Sequence, residues 1–219
     1  MLLAVVSGFF FGLLALFRFS VNTGFLDRPF AIGLLYALIS GEWLLSLGVA
    51  LFYELFWADA FPAGTYVPPH RILATFLTLM LASALEFNTA GQILPLLLPG
   101  LLLAWLGARM EIWLRMRQNS SYDLLWQWSI ENGQKFKPEA LVQKALAQLA
   151  AASAFLYFCS FLICYYSLQA IYSHWPWEFA AFTWQHLWSI GLLGAILSLR
   201  SRRAYKVLAL GAALLIFFI

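Results

Sequence analysis

An almost unbroken apolar run extends from Asp27 to Arg71, and the few places where it breaks constrain the fold most. Asp27-Arg28-Pro29 opens the run, and Gly41-Glu42 sits at its middle. Tyr53-Glu54 lies near its end, and Gly64 followed by Pro68-Pro69-His70 closes it. A plain membrane span has no use for two glutamates and a glycine break at membrane depth, because a charge at the bilayer centre costs at least ~2.5 kcal/mol. Broken helices and short re-entrant segments do use such residues. They place backbone ends and a few polar side chains near the midplane, where a solute can be held.

The chain is 63% hydrophobic and 11% charged, with a mean hydropathy of +0.81. Soluble domains carry about 25% charged residues, so the composition predicts an integral membrane protein. At about 20 residues per span, 219 residues give room for roughly six to eight membrane segments. The expected fold is therefore all-α: one polytopic helical membrane domain over residues 1–219, with short re-entrant or broken helices among its segments. The net charge of +3 lies in loops beside apolar spans and does not imply nucleic acid as a partner.

Met1–Phe17 is apolar with no Lys or Arg before its hydrophobic core, which predicts a retained helix rather than a cleaved signal peptide. Pro29–Ser40 and Trp43–Trp57 are each too short to cross about 30 Å comfortably. They are expected as two segments meeting at Gly41-Glu42. Ile72–Phe87 and Gln92–Ile112 follow, the second with Pro95 and Pro99 as kink sites. After a polar stretch come Leu149–Tyr172, Phe179–Leu199 and Val207–Ile219.

The polar stretch 109–144 is the one soluble-looking part. Arg109, Arg115, Arg117, Lys135, Lys137 and Lys144 outnumber Glu111, Asp123, Glu131 and Glu139. Asn132-Gly133 reads as a turn, Pro138 as a first-turn helix residue, and Trp126 and Trp128 as headgroup-level aromatics. A second basic cluster, Arg200, Arg202, Arg203 and Lys206, is separated from the first by two spans, so both lie on one side. The positive-inside rule makes that side the cytoplasm, with Ser173–Glu178 on the other. Trp175, Trp177 and Trp184 flank that outer hairpin as an aromatic belt.

Among polar residues in apolar surroundings, Glu54 in Leu51-Phe52-Tyr53-Glu54-Leu55-Phe56-Trp57 is the main functional candidate. Glu42 at the hairpin tip reads better as a solvated turn. The breakers Pro62 and Pro68-Pro69 stop a helix from running through residues 61–70. Backbone groups freed there must face protein or a watery cavity, where a polyhydroxyl ligand has use for them. Cys159 and Cys164 lie five apart among Phe and Leu and read as small hydrophobes. His70 has no second ligand at metal spacing, His174 and His186 read as interfacial residues, and no hydrolase or phosphate-loop motif occurs. No metal, cofactor or catalytic residue is implied.

The order Arg28-Pro29, Gly41-Glu42, Tyr53-Glu54 and Gly64-Thr65-Tyr66-Val67-Pro68-Pro69-His70 resembles the IIC component of the mannose-fructose-sorbose class of bacterial phosphotransferase sugar permeases. That family looks like Arg-Pro, Gly-Asp, Leu-Glu and a Gly-x-x-x-x-Pro-Asp loop at similar spacing. The resemblance covers roughly Gly8 to Arg117 and thins beyond. It implies a multi-pass subunit of the bacterial inner membrane that carries a hexose together with a IID membrane subunit, in an oligomer. Phosphoryl transfer would fall to IIB and IIA proteins. Carried over residue by residue, the sugar site would be Glu54, Gly64, Thr65, Pro69 and His70, with Arg28, Pro29, Gly41 and Glu42 as structural motif.

Two departures stand out. The family's acidic residue after the loop proline is His70 here, beside Arg71, and imidazole offers one acceptor at most where a carboxylate offers two oxygens. The C-terminal half is also short and lacks glycine-rich late segments. These keep open a non-transporting regulatory or assembly subunit of the same fold. A substrate-binding subunit of an energy-coupling-factor importer fits the size and span count, but neither the Pro-Pro-His loop nor the Arg-Pro element calls for it.

Overall fold

The computed structural model describes residues 2–20, 27–60, 66–119, 126, 130, 138–177, 179, 181–199 and 201–218. Among them the regular elements are all helices: α1 (Leu2–Ser20), α2 (Pro29–Ser40), α3 (Trp43–Phe56), α4 (Arg71–Ala84), α5 (Ala90–Gln118), α6 (Pro138–His174), α7 (Trp184–Ser198) and α8 (Arg202–Phe218).

Local chemistry sets the helix ends. Pro29 occupies the first helical position of α2, where a missing N–H costs nothing. Gly41 ends that helix at φ 78°, a left-handed conformation suited to glycine, and donates its N–H to the Ala37 carbonyl at 2.9 Å. The expected two segments meeting at Gly41-Glu42 are thus a helical hairpin. Thr89 and Gln92 form a capping box at the start of α5. At the start of α7 the Thr183 N–H donates to His186 Nδ1 at 3.1 Å. The end of α4 is less usual: Glu86 sits at φ 58°, with the Phe87 N–H reaching the Ala82 carbonyl and the Glu86 N–H reaching that of Ser83. This is a Schellman closure with a glutamate in the glycine position.

Small residues let the helices approach. A Cβ on Gly33 would meet the Ser46 carbonyl at 2.8 Å and collide with Ala50, so α2 lies directly on the α3 backbone. On its other side α3 packs on α7, where Gly48 leaves room for the Trp184 ring and its carbonyl accepts from Trp188 Nε1 at 3.1 Å. Gly8 faces Phe158 and Ala154, while Gly12 faces Ala154 and Ala150, so α1 runs antiparallel to α6.

Helix α4 is the hub. Every residue from Arg71 to Leu79 is buried, and the helix touches α1, α2, α3, α5 and α6. Its apolar residues, together with Thr75 and Thr78 whose hydroxyls are hydrogen-bonded inside, allow this. With 14 residues it is only about 21 Å long at ~1.5 Å per residue. Helix α5, with 29 residues, is about twice that length. The backbone N–H of His70 donates to the Ala104 carbonyl at 2.9 Å, so α4 accompanies α5 over its first half only. The connection between α3 and α4 therefore arrives midway along α5.

Several boundaries differ from the sequence expectations. Helix α5 runs through Pro95 and Pro99 and continues past Ile112 to Gln118, while α6 starts at Pro138, the expected first-turn residue, and runs unbroken into the span expected from Leu149. Much of the polar stretch 109–144 is thus extension of two long helices. The Glu111–Arg115 pair and the stacking of Arg109 on Trp105 and Arg117 on Trp113 join residues one turn apart and support helix there. The Asn132-Gly133 turn and Trp128 lie outside the described residues. Ala90–Gln118 and Glu139–His174 are the two described segments long and apolar enough to cross a membrane. Leu3–Leu16, Pro29–Ser40, Trp43–Phe56 and Arg71–Ala84 are shorter apolar helices.

Candidate functional site

Glu54 lies in the last turn of α3 and turns toward the start of α2. Its Oε1 accepts from Arg28 Nη1 at 2.8 Å, and its Oε2 accepts from the Phe30 backbone N–H at 3.2 Å. The carboxylate thus neutralises Arg28 and caps the N-terminus of α2, where the helix dipole favours negative charge. The side chain is 22% exposed, so the pair is half-buried rather than sunk in the core. Two of the sequence motifs, Arg28-Pro29 and Tyr53-Glu54, are brought together here across the hairpin. Gly41 and Glu42 sit at the far end of that hairpin, both exposed. With its amide oriented to donate, Asn88 reaches Glu42 Oε2 at 3.2 Å, tying the tip to the α4–α5 connection.

His70 is buried at the N-cap of α4. Its Nδ1 accepts from the Leu73 N–H at 3.2 Å, and its ring lies 5.7 Å from that of Phe11. Imidazole here does the work that an Asp would do at the same position. Gly107 on α5 leaves the space the ring occupies, since a Cβ there would meet His70 Cβ at 2.8 Å. Pro69 is half-buried beside it, and Pro68 and Val67 are buried. Gly64 and Thr65 lie outside the described residues. Glu54 and His70 are thus each engaged with the backbone of the chain itself, on different helices.

The sequence motifs did not single out the most buried polar cluster. The Tyr53 hydroxyl, fully buried, lies 2.9 Å from Thr78 Oγ1 and donates to the Leu97 carbonyl at 3.3 Å. Gly100 makes this possible, because a Cβ there would collide with the Tyr53 hydroxyl and meet Thr78 Oγ1 at 2.9 Å. The cluster joins α3, α4 and α5 beside the two prolines of α5. A signal was available: Tyr53, Thr78 and Gly100 are each small or hydroxylated breaks in otherwise apolar helices. Glu111, also buried, pairs with Arg115 one turn on.

Other residues line the cavities. One of about 280 Å³ between the α5 end and the α6 start is bordered by Glu111, Arg115, Gln118 and Leu146. Another of about 370 Å³, wholly apolar, lies between Phe52, Phe56, Leu97, Leu101, Phe179 and Ile190. A third of about 460 Å³ is bordered by Pro95, Ile171, Trp175, Pro176, Trp177 and Phe179.

Comparison with protein-family models, with curated proteins and with solved structures finds no match to this chain. The class defined by the described residues is accordingly architectural: an all-helical protein with two long apolar helices packed on a short one that is buried from Arg71 to Leu79.

Proposed function

We propose that this chain is a polytopic membrane subunit of the sugar-permease type, which holds a hexose-like solute together with a IID-type membrane partner. The observation that carries this reading is the enclosure of α4. The helix falls short of the ~30 Å hydrocarbon core, and its first turn, preceded by the non-helical segment 66–70, meets α5 midway. In a bilayer, backbone of that kind survives at depth only against protein or a watery cavity. Carriers bind hydrophilic solutes at such discontinuities. The substrate-facing element is the connection ending in Pro69-His70, with Gly64 and Thr65 contributed from the same segment.

In this arrangement α5 and α6 cross the membrane, while α2, α3 and α4 enter part of the way. Large exposed apolar side chains such as Leu38, Ile39, Leu98, Leu102 and Phe155 face lipid. Arg109, Arg115 and Arg117 lie where the end of α5 meets the start of α6 with Lys144, and the positive-inside rule puts this end, like Arg202 and Arg203, on the cytoplasmic side. IIB and IIA proteins supply the phosphoryl group there.

The test is co-purification with a neighbouring IID candidate from detergent-solubilised membranes, followed by hexose binding to the purified pair. Saturable binding of one hexose supports the permease. An intact pair that binds no hexose supports the second reading, a non-transporting assembly subunit of the same fold. That reading has one observation in its favour: Glu54 caps α2 and His70 caps α4, so both polar candidates already serve the chain's own backbone.

A further inference from the structure

The C-terminal half of α5 buries one side and leaves the other bare. Gly100, Ala104, Gly107, Ala108, Glu111 and Leu114 are buried. On the opposite side, at one-turn spacing, Leu98, Leu102, Trp105, Arg109, Trp113 and Arg117 form a continuous exposed stripe. Trp105 and Trp113 are 53% and 51% exposed, too large an aromatic area to leave to water. Their chemistry is ordered along the helix: two leucines, then a Trp–Arg stack, then a second Trp–Arg stack. The Arg109 guanidinium lies 4.9 Å from the Trp105 ring centre, and that of Arg117 lies 5.2 Å from the Trp113 ring centre.

We infer that this face of α5 is a binding site for an anionic phospholipid, with its acyl chains along Leu98 and Leu102 and its phosphate on Arg109. The inference rests on the membrane placement proposed above. Stacking on an indole engages the plane of a guanidinium, whose edge carries the donors that fit phosphate oxygens. Glu111, the carboxylate nearest in sequence, lies on the opposite side of the helix and is paired with Arg115, so Arg109 shares its own face of α5 with no acidic residue of that helix. Arg109 follows the apolar stretch directly, which sets it at phosphate depth. Arg117 lies about 12 Å farther out, in the aqueous layer where the negative surface potential of the leaflet acts. Lys144 stands beside Ala145, whose carbonyl accepts from Gln118 Nε2 at 3.5 Å, and adds positive charge at the same end. Charge complementarity therefore selects an anionic headgroup over a zwitterionic one.

The experiment is lipid retention by the purified chain in nonionic detergent, read by native mass spectrometry. The probes are phosphatidylglycerol and phosphatidylcholine with identical acyl chains. Wild type is expected to retain phosphatidylglycerol about tenfold better, as one charge-assisted contact allows, and to lose that preference at high salt. Arg109→Gln removes the preference, whereas Arg203→Gln on α8 keeps it. Equal retention of both lipids by wild type, or a preference untouched by salt and by Arg109→Gln, overturns the site. Full competition by inorganic phosphate at constant ionic strength assigns the contact to a free anion and overturns the lipid. Resistance of the chain to alkaline extraction from membranes tests the membrane placement separately, so the two failures are told apart.

Discussion

Arg28 Nη1 and Glu54 Oε1 stand 2.8 Å apart, joining the residue before α2 to the last turn of α3. The pair closes the open end of the hairpin whose other end is Gly41. It also gives Glu54 a structural reason to be acidic that needs no ligand. Charge, dipole and chain reversal all favour a carboxylate at that point.

Glu54→Gln and Arg28→Gln should each lower stability by about 0.5–1 kcal/mol, the range for a half-exposed pair. The double variant should lose less than the sum, since either change removes the same interaction. Thermal unfolding in detergent measures the cycle. Hexose binding on the same variants separates two roles. A loss confined to Glu54→Gln assigns the carboxylate to the solute, and an equal loss in Arg28→Gln assigns it to the hairpin.

Gly100→Ala should destabilise by about 1–3 kcal/mol, because the new methyl collides with the Tyr53 hydroxyl in a closed space. Tyr53→Phe should cost about 1 kcal/mol for its lost hydrogen bonds. Combining them should recover part of the Gly100→Ala loss, as the hydroxyl is the first atom in the way. Additive losses in unfolding experiments would contradict this account of the cluster.

His70→Ala should lose about 1 kcal/mol by leaving the first turn of α4 uncapped. His70→Asp, which restores a capping oxygen, should lose less. Equal instability of the two would mean that the ring's packing on Phe11, 5.7 Å away, outweighs the cap at Nδ1.

Glu86→Gly is the one change expected to stabilise, by about 0.5–1 kcal/mol. Glu86 holds φ 58° at the end of α4, where a side chain is strained and a negative charge opposes the helix dipole. Glycine relieves both, at some cost in unfolded-chain entropy. A lowered midpoint would show that the Glu86 carboxylate makes a compensating contact.

Helical character and most helix ends were legible in the sequence because their causes are local. Pro29, Gly41 and Pro138 mark ends through their own backbone geometry, and apolar run length separated α2 from α3. The full lengths of α5 and α6 were not legible. Charged residues read as loop, whereas pairs such as Glu111–Arg115 and Trp105–Arg109 act one turn apart and hold a helix together. The candidate site was legible as a set of residues but not as an arrangement. Sequence placed Glu54 in apolar surroundings and His70 at the end of the proline loop before a helix; the cap that His70 makes on Leu73 is local, whereas only the tertiary fold decided that Glu54 faces Arg28. The Tyr53–Thr78–Gly100 cluster belongs wholly to tertiary structure. Its members lie far apart in the chain, and a hydroxyl inside an apolar helix takes on meaning only when a neighbouring helix offers a carbonyl and a missing side chain to receive it.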